Sequence, residues 1–275
     1  MAEHSVHSVA KAGFGTGTNE LYDRARPSYQ AAALSHIRNT LPASAPLNIV
    51  EIGAGTGIFT RALLAHPDWS QSVNQFRAIE PSEGMRDVFA KSVRDPRVSV
   101  ADGTFDSTGV DDGWADVVVI AQAFHWCPDY DKASAEFARI LKPTGTLAFI
   151  WNLENRDGAG WVAQLRERIE RHGQGAPQFR LGLWRAIFAT PSYSALFAPP
   201  LERTWSYALS GTRALVLDRA QSHSFIAILP EHDKAAVVRD ISAILDRADR
   251  LVWLDRKAGV FEYPYQTLVV VARKK

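Results

Sequence analysis

The chain has 275 residues, 46% of them hydrophobic and 22% charged, with 31 basic and 30 acidic side chains and a formal charge of +1. This composition suits one large globular domain, or a domain with an embedded lobe, and its well-mixed charge argues against nucleic acid or an anionic membrane as partner. The lone Cys127 excludes an internal disulfide or a multi-cysteine metal site and fits a reducing compartment.

In chain order, residues 1–15 hold no apolar core for a secretory signal, and no run anywhere nears the roughly 20 apolar residues of a membrane span, so a cytoplasmic location is expected. Residues 1–13 lack periodicity, and Phe14–Gly17 is glycine-rich without a strand before it, which makes it a flexible lead-in, not a phosphate loop. Pro27 breaks or starts a helix, and a helix is expected from Ser28 to Leu41. Leu47–Ile52 is a short β-branched run, the pattern of a parallel strand covered on both faces. It ends at Gly53-Ala-Gly-Thr-Gly57, a turn where backbone N–H groups can approach a ligand beside a helix N-terminus. A dinucleotide fingerprint wants a glycine at position 58, which is Ile58. A plain strand-to-helix turn in another α/β protein is the duller alternative.

A helix over 57–65 follows, then a strand over 75–80 ending at Glu80-Pro-Ser82, where Ser82 suits a helix N-cap. Further strands are expected over 97–101, 115–120 and 146–151. Between the last two lie the run Ala121-Gln-Ala-Phe-His-Trp126 and a helix over 130–141 whose inner face is Ala133, Phe137, Ile140 and Leu141. Strand and helix in alternation predict an α/β, doubly wound, mostly parallel sheet with its ligand beyond the carboxyl ends of the strands. After Asn152 the pattern changes to arginine-rich helical stretches carrying Trp161, Phe179, Trp184, Phe188, Tyr193 and Phe197. Then come a strand over 201–209, two polar helices, the second over 230–248 with Val237, Ile241, Ile244, Leu245 and Ala248 on one face, and a closing strand over 264–272.

The spacing acid-x-Gly-x-Gly-x-Gly from Glu51 to Gly57 resembles the first motif of S-adenosylmethionine (SAM)-dependent methyltransferases. On that reading Gly53, Ala54, Gly55 and Gly57 cradle the methionine and ribose portions. Glu51 holds either an amide of the turn or the donor's ammonium, and Glu80, next to Pro81, takes the ribose hydroxyls. Met85 packs on adenine, Asp102 after Ala101 accepts the adenine amino group, and the N–H of Thr104, beyond Gly103, serves a ring nitrogen. Each has a structural alternative: a helix-start carboxylate for Glu80, core filler for Met85, a turn residue for Asp102. Tyr22 and Arg26 sit on a segment able to fold over the site, Arg26 as a fork for the donor carboxylate or as a surface arginine. Gln122 and Ala123 face the donor. His125 is either a general base towards an acceptor hydroxyl or an orienting group. Trp126, Trp151 and Asn152 are candidate walls of the acceptor pocket. The eight histidines have no metal-ligand spacing, so no metal is expected.

Six stretches together resemble the SAM-dependent methyltransferases of the methyltransferase-11 type, close to trans-aconitate methyltransferase-like proteins. They are Tyr22–Tyr29, Val50–Gly57, Ile79–Ser82 with Met85, Val119–Trp126, Arg139–Leu147 and Ile150–Asn152; the ending Tyr265–Lys275 also fits. The resemblance implies a seven-stranded Rossmann-like sheet with its last strand antiparallel, and SAM as donor. The family often reads Lys-Pro-Gly-Gly where this chain has Lys142-Pro-Thr-Gly145. The expected organisation is a single domain: an N-terminal lid and helix (1–46), a SAM-binding core (47–152), a helical insert over the acceptor pocket (153–200) and C-terminal strands and helices (201–275). The expected activity is methyl transfer to an oxygen of a small phenol or carboxylic acid, against a silent SAM-binding protein or an NAD-dependent oxidoreductase, the latter disfavoured by Ile58. The oligomeric state is open.

Overall fold

The computed structural model describes residues 19–42, 46–173, 175–248 and 251–275; the lead-in over 1–13 and the Phe14–Gly17 turn lie outside the described residues. Two helices, α1 (Asn19–Ala25) and α2 (Ala31–Arg38), precede the sheet, with Pro27 between them in place of a continuous helix. The sheet then builds as β1 (Leu47–Ile52), α3 (Ile58–Ala65), the short α4 (Pro67–Ser70), β2 (Val73–Ile79), α5 (Glu83–Ser92), β3 (Val98–Ala101), β4 (Ala115–Ala121), α6 (Tyr130–Ile140) and β5 (Leu141–Glu154). Ser82 caps α5 as its sequence suggests, its hydroxyl accepting the Met85 N–H at 3.3 Å.

The strand order is β3-β2-β1-β4-β5-β8-β6, where β6 is Leu201–Gly211 and β8 is Val260–Arg273. The pairs from β3 to β5 are parallel and β8 runs antiparallel to both β5 and β6. This seven-strand path, with its antiparallel final strand, is the Rossmann-like α/β arrangement expected. A short arm, β7 (Trp253–Asp255), pairs with β8 as an eighth strand; its three exposed residues carry no period that marks them in sequence.

Both faces of the sheet are covered. Val50, Ile52, Val118 and Ile120 join one apolar cluster with Phe137 and Ile140 of α6 and Leu141 of β5, and the alternate residues Ile49, Val117 and Val119 join another with Leu34, Ile37, Phe59 and Leu63. That is why β1 and β4 read as largely apolar runs, interrupted only by Asn48 and Glu51 and by Asp116. Burying four such side chains per strand stabilises by roughly 1.5–3 kcal/mol each.

β5 and β8 run past the parallel strands, pairing from Thr146–Arg273 to Glu154–Tyr265. A second lobe packs on this overhang: α7 (Gly160–Glu170), α9 (Arg213–Gln221), the short α10 (Ser224–Ala227) and α11 (Glu231–Asp246), whereas α8 (Pro191–Leu196) packs against α6 in the first cluster. Trp161 and Leu165 of α7 share one core with Val216 of α9, Val237 and Ile241 of α11, and Tyr263 and Tyr265 of β8. The helices on the two sides of residue 200 therefore make one lobe. β5 starts at Leu141, not Thr146, and breaks register between the Ala115 and Val117 pairs. Thr144 in that break has φ 62°, a left-handed value costly for a β-branched residue. The family's glycine at this turn has that conformational reason. Among the described residues, no helix is long and apolar enough to cross a membrane.

Candidate functional site

The glycine turn lies at the carboxyl end of β1, the central strand. Gly53, Gly55 and Gly57 have φ of 74°, 56° and 84°, which L side chains adopt only with strain. Their open faces differ. A Cβ on Gly53 would lie 2.5 Å from the Cβ of Ala123, and one on Gly57 would lie 2.7 Å from Val93 Cγ2 in the loop after α5. Only Gly55 has nothing within 4 Å of that position. Gly57 is thus a packing glycine and Gly55 the one open to an incoming ligand. Ala123 faces the turn through this contact.

Glu80 braces the turn. Its carboxylate accepts the Gly55 N–H and the Ser82 N–H, both at 2.9 Å, and burial raises its pKa against those two bonds. The amide role considered for Glu51 therefore falls to Glu80. Glu51 is buried and accepts the Thr60 hydroxyl at 2.5 Å. Burial pushes its pKa up to about 8, further raised by Glu80, although the Thr60 bond opposes the rise. At neutral pH this carboxyl is mostly protonated, poised to ionise beside a cation.

A cavity over the turn is lined by Tyr22, Arg26, Glu51, Ala54, Gly55 and Gln122, together with Gly53 and Asn152. The segment after α1 does come to the site. Tyr29 and Thr56 also line this cavity, and the buried Thr56 hydroxyl has no partner among the described residues. Sequence reasoning passed over both, although Thr56 is the variable position inside the glycine motif. Gly57, Glu80, Pro81, Met85, Asp102, Gly103, Thr104 and Ala123 line neither this cavity nor its neighbour. Met85 is buried. Asp102 is exposed and pairs with Arg86 at 2.8 Å. The N–H of Thr104 is not available to a ring nitrogen, because a tight turn spends it on Ser107 O at 2.9 Å. Gly103 packs against Ile79, where a Cβ would meet Cγ2 at 2.6 Å.

The neighbouring cavity, of about 300 Å³, lies between the strand ends and the second lobe. Tyr22, Arg26, Gln122 and Asn152 line both cavities and so form the partition between them. Gln122 and Asn152 build that partition by spending their polar atoms on each other and on the frame. Gln122, at φ 59°, exchanges two hydrogen bonds of 3.0 Å with the Asn152 backbone. The Asn152 carboxamide donates to Ser28 O at 3.0 Å and accepts the Thr267 hydroxyl at 2.6 Å. Each carboxamide spends its oxygen and one N–H on the frame, which fixes its orientation and leaves one N–H on each.

His125, in a single 3-10 turn (Phe124–Trp126) after β4, lines the larger cavity with Trp126 and Trp151. Burial, and then Arg26, push its pKa down to about 3, so the ring is neutral at physiological pH. Its Nδ1 is buried with no partner among the described residues. Trp151 is fully buried and packs against Trp184 and Phe179, with ring centroids 4.5 and 5.0 Å away.

The rest of this cavity mixes apolar residues such as Phe179 and Phe225 with charged ones the sequence reading left unassigned: Glu154, Arg156, Arg166, Glu170, Arg219 and His223. The arginine-rich character of the region after Asn152 was their only signal. Glu154 accepts from Arg166 at 2.6 Å and from Tyr263 OH at 2.7 Å, with Arg219 Nε 3.8 Å away. Burial alone would raise its pKa, but Arg219 and Arg166 outweigh that and hold it down to about 2. Among the described residues, no cluster of three or more His, Cys, Asp or Glu could hold a metal ion.

Residues 50–149 match the methyltransferase-domain family Methyltransf_11. An uncharacterized methyltransferase-like protein of Schizosaccharomyces pombe is 28% identical over 92% of this chain and 93% of its own length. An uncharacterized methyltransferase of Mycobacterium tuberculosis is 36% identical over 55% of this chain and 57% of its own. A phosphoethanolamine N-methyltransferase of Haemonchus contortus, solved in complex with S-adenosyl-L-methionine, superposes with a TM-score of 0.54 over 93% of this chain and 56% of that one. At 15% identity it speaks for the fold alone. Residues 50–149 are thus similar to the Methyltransf_11 methyltransferase domain, and the sheet order, with the glycine turn at its switch point, is a Rossmann-like α/β fold.

Proposed function

We propose that the protein transfers a methyl group from SAM, held over the glycine turn, to an oxygen of a small organic acceptor, a phenol or a carboxylic acid, held in the larger cavity. The observation that carries this reading is the shared partition: one pair of residues, Gln122 and Asn152, borders both spaces from the same strand ends. SAM supplies an electrophilic methyl on a sulfonium, and such a reaction asks the protein chiefly for alignment and exclusion of water.

The residues fit that donor. Gly55 offers an open backbone face, Glu80 a buried carboxylate for ribose hydroxyls, and Thr56 an unspent hydroxyl. Glu51 lies within the cavity, where a donor ammonium would draw its proton off. Trp126, Trp151 and the second lobe wall the acceptor space. His125 in this reading orients the acceptor or accepts its proton, and its low basicity favours orientation. A carboxylate acceptor needs no base.

Calorimetry with SAM and with NAD, followed by transfer of labelled methyl to a panel of phenols and carboxylic acids, tests the proposal. NAD binding without SAM binding would sink it. SAM binding without transfer to any class of acceptor would favour a silent binding protein instead.

A further inference from the structure

Two arginines in the larger cavity are held in place without a carboxylate of their own. Arg26 donates through Nε to the Ser222 hydroxyl at 3.0 Å and through NH2 to Ser222 O at 2.9 Å, and stacks over the Tyr22 ring at 4.6 Å. No carboxylate lies within 4 Å of it among the described residues. Arg219, 3% exposed, donates to Tyr265 OH at 3.1 Å, and its nearest carboxylate, 3.8 Å away, already serves Arg166. Arg26 thus has no carboxylate of its own, and Arg219 shares the single charge of Glu154 with Arg166, so one carboxylate serves two buried guanidiniums.

The surroundings do not supply the missing charge. Five arginines line the cavity (26, 156, 166, 180 and 219) against three carboxylates, Glu154, Asp157 and Glu170, which leaves an excess of two positive charges. Glu170 is divided among Arg156, Arg166 and Arg180 at 3.1, 2.8 and 3.2 Å. His223 adds no counter-charge. Its Nε2 lies 3.4 Å from both Arg166 NH1 and Arg219 NH1, and both of these only donate, so Nε2 is the unprotonated nitrogen of a neutral ring. The mutual repulsion is felt: burial first, then Arg219, bring the Arg26 pKa down to about 10. Burying positive charge without a partner is costly, and an anionic ligand removes that cost.

We propose that Arg26, on the partition, serves the acceptor side instead of the donor carboxylate, that it forms with Arg219 an oxyanion-binding subsite, and that the methyl acceptor carries a carboxylate or phosphate group anchored there, distinct from the oxygen that receives the methyl. The proposal rests on the methyltransferase reading and narrows its acceptor class. Guanidinium forks suit both oxyanions, and the aromatic walls from Trp126, Phe179 and Phe225 suit a planar body between anchor and reacting atom.

The test uses the full-length protein loaded with S-adenosylhomocysteine, and benzoate, phenyl phosphate and benzamide as probes read by saturation-transfer NMR. Benzoate or phenyl phosphate binds and benzamide does not; which anion binds more tightly identifies the oxyanion. In Arg219→Gln the affinity for that anion falls tenfold or more, the loss expected when one partner of a buried charge pair is removed, while S-adenosylhomocysteine affinity stays within twofold. Benzamide binding as well as the anions, or an anion affinity unchanged in a folded Arg219→Gln, overturns the subsite alone. If that variant does not fold, the wild-type comparison of benzoate with benzamide decides. Failure of the wild-type protein to bind S-adenosylhomocysteine overturns the methyltransferase reading, and the subsite with it.

Discussion

Glu154→Gln removes the buried carboxylate that Arg166 and Arg219 share while keeping its size and its ability to accept from Tyr263. The side chain is 1% exposed, so solvent screening does not discount the interaction. Its folded-state pKa of about 2 lies below the ordinary 4.5. At roughly 1.4 kcal/mol per pH unit, that difference corresponds to about 3 kcal/mol of stability at neutral pH. Because the folded value is the depressed one, the contribution is complete above about pH 4.5 and drains away as pH falls towards 2. Urea unfolding of wild type and variant between pH 8 and pH 3 reads this directly. The expected gap is about 3 kcal/mol, or roughly 6–12 °C in melting temperature for a chain of this size, flat down to about pH 5 and narrowing below. A gap under 1 kcal/mol at pH 7, or one that does not narrow in acid, would refute the reasoning.

Four further outcomes are expected. Gly53→Ala places a methyl 2.5 Å from the Ala123 Cβ on a backbone at φ 74°, and should destabilise by about 2 kcal/mol or more and weaken SAM binding, measured by thermal shift and calorimetry. Asn152→Ala forfeits the bonds to Ser28 O and the Thr267 hydroxyl, for about 2 kcal/mol in denaturant unfolding, with faster amide exchange around Ser28. Thr144→Gly relieves a left-handed β-branched residue in an exposed turn and should raise stability by about 1 kcal/mol; a destabilised variant would contradict the strain assigned there. Since the His125 imidazolium forms only near pH 3, its protonation should leave no inflection in kcat/KM between pH 5 and 8; one that disappears in His125→Asn would show a more basic ring.

Much of the frame was legible because it obeys local rules. β1 was found at its observed ends, since a strand buried on both faces reads as a mainly apolar, β-branched run closed by glycines. Ser82 announced its helix, and the face of α6 followed from spacing alone. The reading was weaker where an atom's partner lies far along the chain. That Glu80 rather than Glu51 takes the turn amide depends on which carboxylate the sheet register brings to Gly55, 25 residues away. That the Thr104 N–H is spent on Ser107 depends on the shape of one turn.

By itself, then, the sequence determined the class of fold, the order of strands and helices and the glycine turn at its switch point. Those features arise from side-chain periodicity and from backbone angles that only glycine adopts freely. Tertiary structure alone decided which charges meet. Arg26, Glu154, Arg166, Arg219 and His223 are spread over nearly 200 residues, and of these only Arg26 sits in a local motif. Only the long β5–β8 overhang and the lobe packed on it bring them to one cavity, where burial makes their imbalance count.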